Sequence, residues 1–330
     1  MSKRKLISAS LVFAGLALCT ALVIYFGASE ILHALVSVNV WRLLEYIGVQ
    51  LVILVGLGLC WRVVLPPVHK GSFMLCVWGR AVRDATGEFL PFSQVGGYVL
   101  GARVMTLGGV ATADAAASTL ADITTEFLAQ LVFIALGLIV LSHKIPGSSL
   151  LLPVSIGLVV AVVLGVGLIV AQVGTGTRLF SALAMRIAGT SEHGAVQNVQ
   201  RLQAALDHIY KQHHRLAWCA FLHLLCWFGT ATASYVGFRA FGVPITWVDA
   251  LCIEAMLHAI MALAFFIPGR VGVQEGAYVL MGGLFGIPPD IAISLSLLRR
   301  GRDFVIALPV LIAWQGVEAR QLKFNITNAN

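Results

Sequence analysis

Ser149 to Val173 read SLLLPVSIGLVVAVVLGVGLIVAQV, without one ionisable side chain. A helix of that length reaches beyond the roughly 30 Å hydrocarbon core of a bilayer. A helix apolar on every face has no exposed side for water, so the stretch reads as a membrane span. The rest of the chain agrees. Of its 330 residues, 59% belong to the AVILMFWYC set and only 11% are Asp, Glu, Lys or Arg, less than half the charged share of a soluble domain. Water could not cover so much apolar surface. The expected class is an all-α polytopic membrane protein, and a free soluble enzyme is excluded.

Working outward, further long apolar runs lie at 6–27, 43–65, 115–142, 217–238 and 290–314. The run 6–27 follows Lys3-Arg4-Lys5 and lacks a small-x-small cleavage site, so it reads as an uncleaved first span rather than a signal peptide. Two stretches, 73–110 and 246–287, are interrupted by Pro91 and Pro268 with glycines after them. Proline removes a backbone donor and clashes with the preceding turn, so each stretch becomes two half-length pieces. Each pair forms a re-entrant hairpin or two short spans. The total is six full spans plus two broken elements, or about eight spans.

Charge sets the sidedness. The segment 174–215 carries Arg178, Arg186, Arg201, Lys211 and Arg215 against Glu192 and Asp207, which places it in the cytoplasm by the positive-inside rule. Both termini then fall inside, and the Asn325-Ile326-Thr327 sequon has no meaning there. Within the segment Val196, Val199, Leu202, Leu206 and Ile209 recur at helical spacing, as on a surface amphipathic helix. His208, His213 and His214 near its end have no second ligand cluster beside them, so no metal is expected. The six cysteines, Cys19, Cys60, Cys76, Cys219, Cys226 and Cys252, show no C-x-x-C spacing and read as small buried hydrophobes.

Sliding the chain on itself by 177 residues aligns several uncommon residues. Trp41 meets Trp218, Arg62 meets Arg239, and Pro67 meets Pro244. Phe89-Leu90-Pro91 meets Phe266-Ile267-Pro268, and Gly109-Val110 meets Gly286-Ile287. The reading is one transmembrane domain over 1–330. Its repeat halves, 41–142 and 218–319, are joined by the span 149–173 and the cytoplasmic segment 174–215. Because 43–65 runs outward to inward and 217–238 the reverse, the halves are expected to be inverted. Transporters of that kind build their substrate site where broken helices meet near the midplane.

Charges at mid-membrane mark the candidate site. Arg299-Arg300-Gly301-Arg302-Asp303 interrupts an otherwise apolar run, at about 2.5–3.5 kcal/mol per charge on insertion scales. Arg299 and Asp303 stand four apart and are expected to pair, leaving Arg300 and Arg302 to find anions on neighbouring helices. Asp122 with Glu126, Glu254 with His258, and Glu275 after Arg270 supply such groups. The alternatives are a substrate path and a purely structural charge lattice. Gly97 with Gly101, and Gly272 with Gly276, are spaced for close helix approach. No lysine and hydroxyl residue follow either glycine stretch, so nucleotide binding is not expected, nor any cofactor or nucleic acid.

The stretch Ile267-Pro268-Gly269-Arg270-Val271-Gly272-Val273-Gln274-Glu275-Gly276, then Gly286-Ile287-Pro288 and Leu298-Arg299-Arg300, resembles the flippase-like family that includes the transmembrane region of lysylphosphatidylglycerol synthases. Leu90-Pro91-Phe92-Ser93-Gln94-Val95-Gly96-Gly97, Leu100-Gly101-Ala102-Arg103 and the stretch Asp122 to Gln130 bring it closer to the hopanoid-biosynthesis-associated (HpnL) branch. By resemblance the motif residues are Pro268, Gly269, Gly272, Glu275 and Arg300, with Pro91, Gly97, Arg103, Asp122 and Glu126 in the first half. Either Arg299 or Arg300 fills the family's Arg position.

The resemblance implies a bacterial inner-membrane protein that moves a lipid between leaflets, or hopanoids toward the outer membrane. Partners would be a hopanoid or an anionic phospholipid and, beyond lipid, hopanoid-biosynthesis enzymes. No soluble aminoacyl-transferase domain follows the last span, so aminoacylation of lipid by this chain is not expected. Two rival classes are a lipid headgroup enzyme using Glu275, His258 or Glu254, and a non-catalytic scaffold. No nucleophile–base pair or cofactor motif supports the enzyme class.

Overall fold

A computed structural model describes residues 33, 36–66, 73–89, 93–172, 192–263 and 270–329. The run 6–27, Pro91, Pro268, Gly269 and the first part of 174–215 lie outside the described residues. The described part is all helical, in ten helices: α1 (Val40–Val64), α2 (Phe73–Phe89), α3 (Ser93–Leu107), α4 (Thr112–Lys144), α5 (Leu151–Gln172), α6 (Glu192–Tyr210), α7 (His213–Ala240), α8 (Trp247–Leu263), α9 (Val273–Leu284) and α10 (Pro289–Ala329).

Length and apolarity make α1, α4, α7 and residues Leu151–Val170 of α5 able to cross a membrane. The protein is therefore a multi-pass α-helical membrane protein. Leu152, Ile156, Val159, Val163 and Val166 of α5 are exposed, as side chains facing lipid tails would be. The expected span 290–314 lies inside α10, whose charged centre keeps it out of the set that qualifies on apolarity alone. The two interrupted stretches are α2 with α3 and α8 with α9. None of these four reaches the roughly 20 residues of a full span.

Adding 177 to the bounds of α1, α2, α3 and α4 gives 217–241, 250–266, 270–284 and 289–321, which fall on α7, α8, α9 and α10. The turns after α3 and α9 also share their chemistry. Gly109 and Gly286 take φ of 88° and 70°. Val110 N–H donates to the Met105 carbonyl at 3.1 Å, and Ile287 N–H to the Gly282 carbonyl at 2.9 Å. Each is a glycine stop in which the chain reaches back five residues to satisfy an orphan carbonyl. A side chain at either glycine would strain the turn.

Two apolar cores hold the bundle. Trp61, Leu65, Met105 and Ala121 pack with Leu206, Ile209 and Cys219, so α6 covers the first core. Phe133, Leu141 and Phe238 pack with Ile253, Met256, Tyr278 and Leu295 in the second. Helices α4 and α7 run through both cores and bring their middles, where Asp122, Glu126, His223 and Trp227 sit, to the space between. Helix α3 lies close on α2 because Gly97 and Gly101 let it. A Cβ at Gly97 would stand 2.5 Å from the Arg83 carbonyl oxygen, and one at Gly101 would stand 3.2 Å from the Trp61 ring. The second G-x-x-x-G does not work this way. Gly276 has open space where a Cβ would go, and Gly272 instead takes φ of 80° at the start of α9.

Candidate functional site

The first charged cluster joins α2 to α4. Arg80 donates to both Glu126 oxygens, at 2.9 and 2.6 Å, and through Nε to Asp84 at 2.8 Å. Arg83 reaches Asp122 and Glu126, each at 2.6 Å, and lies over the Tyr98 ring at 4.7 Å. His223 Nε2 of α7 completes the set, 3.0 Å from Asp122 Oδ1. Two guanidiniums share three carboxylates here, and both arginines and Asp122 are almost wholly out of solvent. Paired, hydrogen-bonded charges are the form in which buried ions are tolerated.

The second cluster joins α8 to α10. Arg299 donates to Glu254 at 2.5 Å and to the Tyr278 hydroxyl at 3.0 Å. Glu254 also accepts from Ser234 and stands 3.1 Å from His258 Nε2. His258 meets the Trp227 ring edge to face, centroids 4.6 Å apart. A third pair lies beside these. Glu275 accepts from Arg300 Nε at 2.6 Å, from Ser296 at 3.1 Å and from the Gly272 N–H at 2.8 Å, so it also caps α9. Arg302 pairs with its neighbour Asp303 at 2.7 Å and lies over Tyr46 at 4.7 Å.

The expected Arg299–Asp303 pair is thus replaced by Arg302–Asp303. The cause is the rotation of α10, which points Arg299 at α8, where a fully buried carboxylate needs a cation. Asp122 and Glu126, offered above as anions for Arg300 and Arg302, are taken by Arg80 and Arg83 instead. Arg103 is half exposed, pairs with Glu318 at 3.0 Å and takes no part in the site.

Between the two clusters lies a cavity of about 610 Å³. Its walls carry Arg80, Arg83, Arg270, Arg299 and Arg302 against Asp84, Glu126 and Asp303, with His258 and Trp227 beside them. Leu54 and Leu57 of α1, and Leu164 and Leu168 of α5, form an apolar side. Of the residues singled out from sequence, Glu126, His258, Arg270, Arg299, Arg302 and Asp303 face the cavity. Asp122, Glu254 and Arg300 stand behind it and hold groups that do, and Glu275 in turn holds Arg300. Arg80, Arg83, Asp84 and His223 were missed, although Arg80-Ala81-Val82-Arg83-Asp84 carries the same R-x-x-R-D spacing as Arg299 to Asp303.

Asp122, Cys219 and His223 also bring one donor atom each within 4.8 Å of the others, all buried, a grouping that sequence spacing did not suggest. Their donors are already engaged. Asp122 accepts from Arg83, and the Cys219 sulfur is 3.1 Å from Thr125 Oγ1 and donates to the Cys60 carbonyl at 3.3 Å. A cation there would lie beside two guanidiniums, so the trio reads as part of the hydrogen-bond network.

This combination, paired charges and a polar cavity with an apolar side inside a membrane bundle, agrees with the comparison to known families. Residues 11–310 match the family described as lysylphosphatidylglycerol synthase TM region. No curated protein and no solved structure matches the chain. With a match over far more than half its length, the chain belongs to the lysylphosphatidylglycerol synthase transmembrane-region family.

Proposed function

We propose that this protein is a flippase-like transporter of the bacterial inner membrane, with both termini cytoplasmic. Its cargo is a polar-headed lipid, a hopanoid or an anionic phospholipid, moved toward the outer leaflet or the outer membrane. The observation that carries the reading is the cavity, charged on the sides made by α2, α4 and α10 and apolar toward α1 and α5. A lipid's tails can stay in the bilayer while its head crosses, so only the head needs polar walls. A volume of about 610 Å³ lies within the usual range for small-ligand sites.

The matched helix order of α1–α4 and α7–α10 supports alternation between leaflets. Two inverted halves could rock about a shared site at the level of the α4 and α7 midpoints. In this reading the chain catalyses no covalent step, and hopanoid-biosynthesis enzymes are partners that deliver cargo. The resemblance to the hopanoid-associated branch is what favours hopanoids.

Deleting the protein, separating inner from outer membrane and weighing hopanoids and phospholipids in each by mass spectrometry tests this. Transport predicts unchanged total lipid retained in the inner membrane. A fall in the total, or an accumulated precursor, would assign the protein to headgroup chemistry or scaffolding instead.

A further inference from the structure

The last segment before α9 holds a feature that the ion-pair network leaves over. Arg270 takes φ of 49°, and among the described residues it is the one non-glycine with positive φ. The left-handed region is disfavoured for a residue with a Cβ, and such residues gather at ligand sites. Its neighbours hold it there. Arg300 Nη2 donates to the Arg270 carbonyl at 3.2 Å, and Arg300 is itself gripped by Glu275, which pins Gly272 two residues further on.

The side chain that this turn presents is a cavity wall. Arg80, Arg83, Arg299 and Arg302, the other cavity arginines, each have a carboxylate within hydrogen-bond distance. Arg270 has no such partner among the described residues. Asp84, Asp122, Glu126, Glu254 and Asp303 are all held by those four arginines, which leaves none of them against Arg270. A half-buried guanidinium with no carboxylate against it is costly to retain in a membrane protein without an anion. Guanidinium geometry matches the paired oxygens of a phosphate or carboxylate.

We infer that Arg270 is the side chain that binds the cargo, and that its ligand is an anionic phosphate ester in a lipid head, in preference to an uncharged polyol. Glu275 and Arg300 are then positioning residues that fix the turn. This narrows the transport reading to its phospholipid cargo, against the hopanoid that the branch resemblance favours, and rests on the cavity being the lipid site.

The test is equilibrium binding to the purified full chain in detergent, followed by the fluorescence of Trp227 and its fellow tryptophans. The probes are dihexanoyl phosphatidylglycerol, dihexanoyl phosphatidylcholine and tail-free glycerol phosphate. The parent protein should prefer phosphatidylglycerol. Arg270→Gly should weaken that ligand by roughly tenfold or more, the usual scale for losing one charged hydrogen bond. Glycine adopts the left-handed turn freely, so this variant keeps the fold. Arg103→Gln, away from the cavity, should bind like the parent.

Equal binding of phosphatidylglycerol and phosphatidylcholine by the parent, or an unchanged affinity in Arg270→Gly, would overturn the inference. Glycerol phosphate binding as tightly as the lipid would remove the lipid as source, leaving a soluble phosphate ester. Lipid movement into the second leaflet of vesicles is scored separately. Its absence alongside Arg270-dependent binding would sink transport and leave the anion site standing.

Discussion

The two charged centres use corresponding pairs of helices, 177 residues apart, with the signs exchanged. In the first half the short helix α2 brings Arg80 and Arg83 to carboxylates on the long helix α4. In the second, short α8 brings Glu254 to Arg299 on long α10. Their saturation differs more than their geometry. The first centre shares two guanidiniums among Asp122, Glu126 and Asp84, with His223 behind. The second spreads Arg299, Arg300 and Arg302 over three separate carboxylates, and among the described residues Arg270 has none. A closed network clamps helices, whereas an unsaturated one can still bind. On the proposed reading the first half is the clamp and the second holds the ligand contact.

The largest effect should come from breaking the clamp. Asp122→Ala leaves Arg83 and His223 facing an empty place and should cost about 3–5 kcal/mol, the penalty for removing one partner of a buried pair. Thermal unfolding in detergent measures it, and an unshifted midpoint would mean that the first centre is no clamp. Next comes Glu275→Gln, which keeps an acceptor for the Gly272 N–H but loses the charge facing Arg300. A loss of about 1–3 kcal/mol is expected, with lipid movement abolished while the protein still reaches the membrane. Full movement in that variant would make the second centre a structural lattice as well.

The glycines sharpen the same contrast at lower cost. Gly97→Ala pushes a Cβ against the Arg83 carbonyl and should lose about 1–3 kcal/mol, as overpacked sites do. Gly276→Ala meets open space and should stay within about 0.5 kcal/mol of the parent. Side-by-side melting curves decide, and equal losses would mean that the two glycine pairs do the same job. A small effect of opposite sign is expected for Arg270→Gly. Relief of the left-handed strain is opposed by extra freedom in the unfolded chain, for a net gain of no more than about 1 kcal/mol. A clear loss of stability there would show that Arg270 braces the turn rather than binding a ligand.

Reading the chain found the charges more reliably than their partners. Arg299 and Asp303 satisfied the four-residue rule for a helix pair, yet each found a different partner, because Glu254 on another helix lies where Arg299 points. Arg80 and Arg83 were not legible as site residues because they lie in a short, charge-bearing helix whose apolar run is broken, where a charge carries no evident membrane cost. Their R-x-x-R-D spacing, shared with 299–303, was visible all along. Arg103, named from a motif resemblance, proved to lie at Glu318 and outside the cavity.

Membrane class, helix positions and the two broken elements were determined by the sequence alone, because apolar length and proline position are local properties of the chain. Gly109 and Gly286 stood out in the sequence only as matched positions of the repeat, and their left-handed φ came with the fold. Which charge meets which was decided only in three dimensions. An ion pair between helices depends on the rotation of each about its axis, and that rotation is set by packing of apolar faces such as Trp61 against Met105 and Tyr278 against Leu295. Arg270 is set apart only in three dimensions, as the cavity arginine with no carboxylate within hydrogen-bond distance among the described residues.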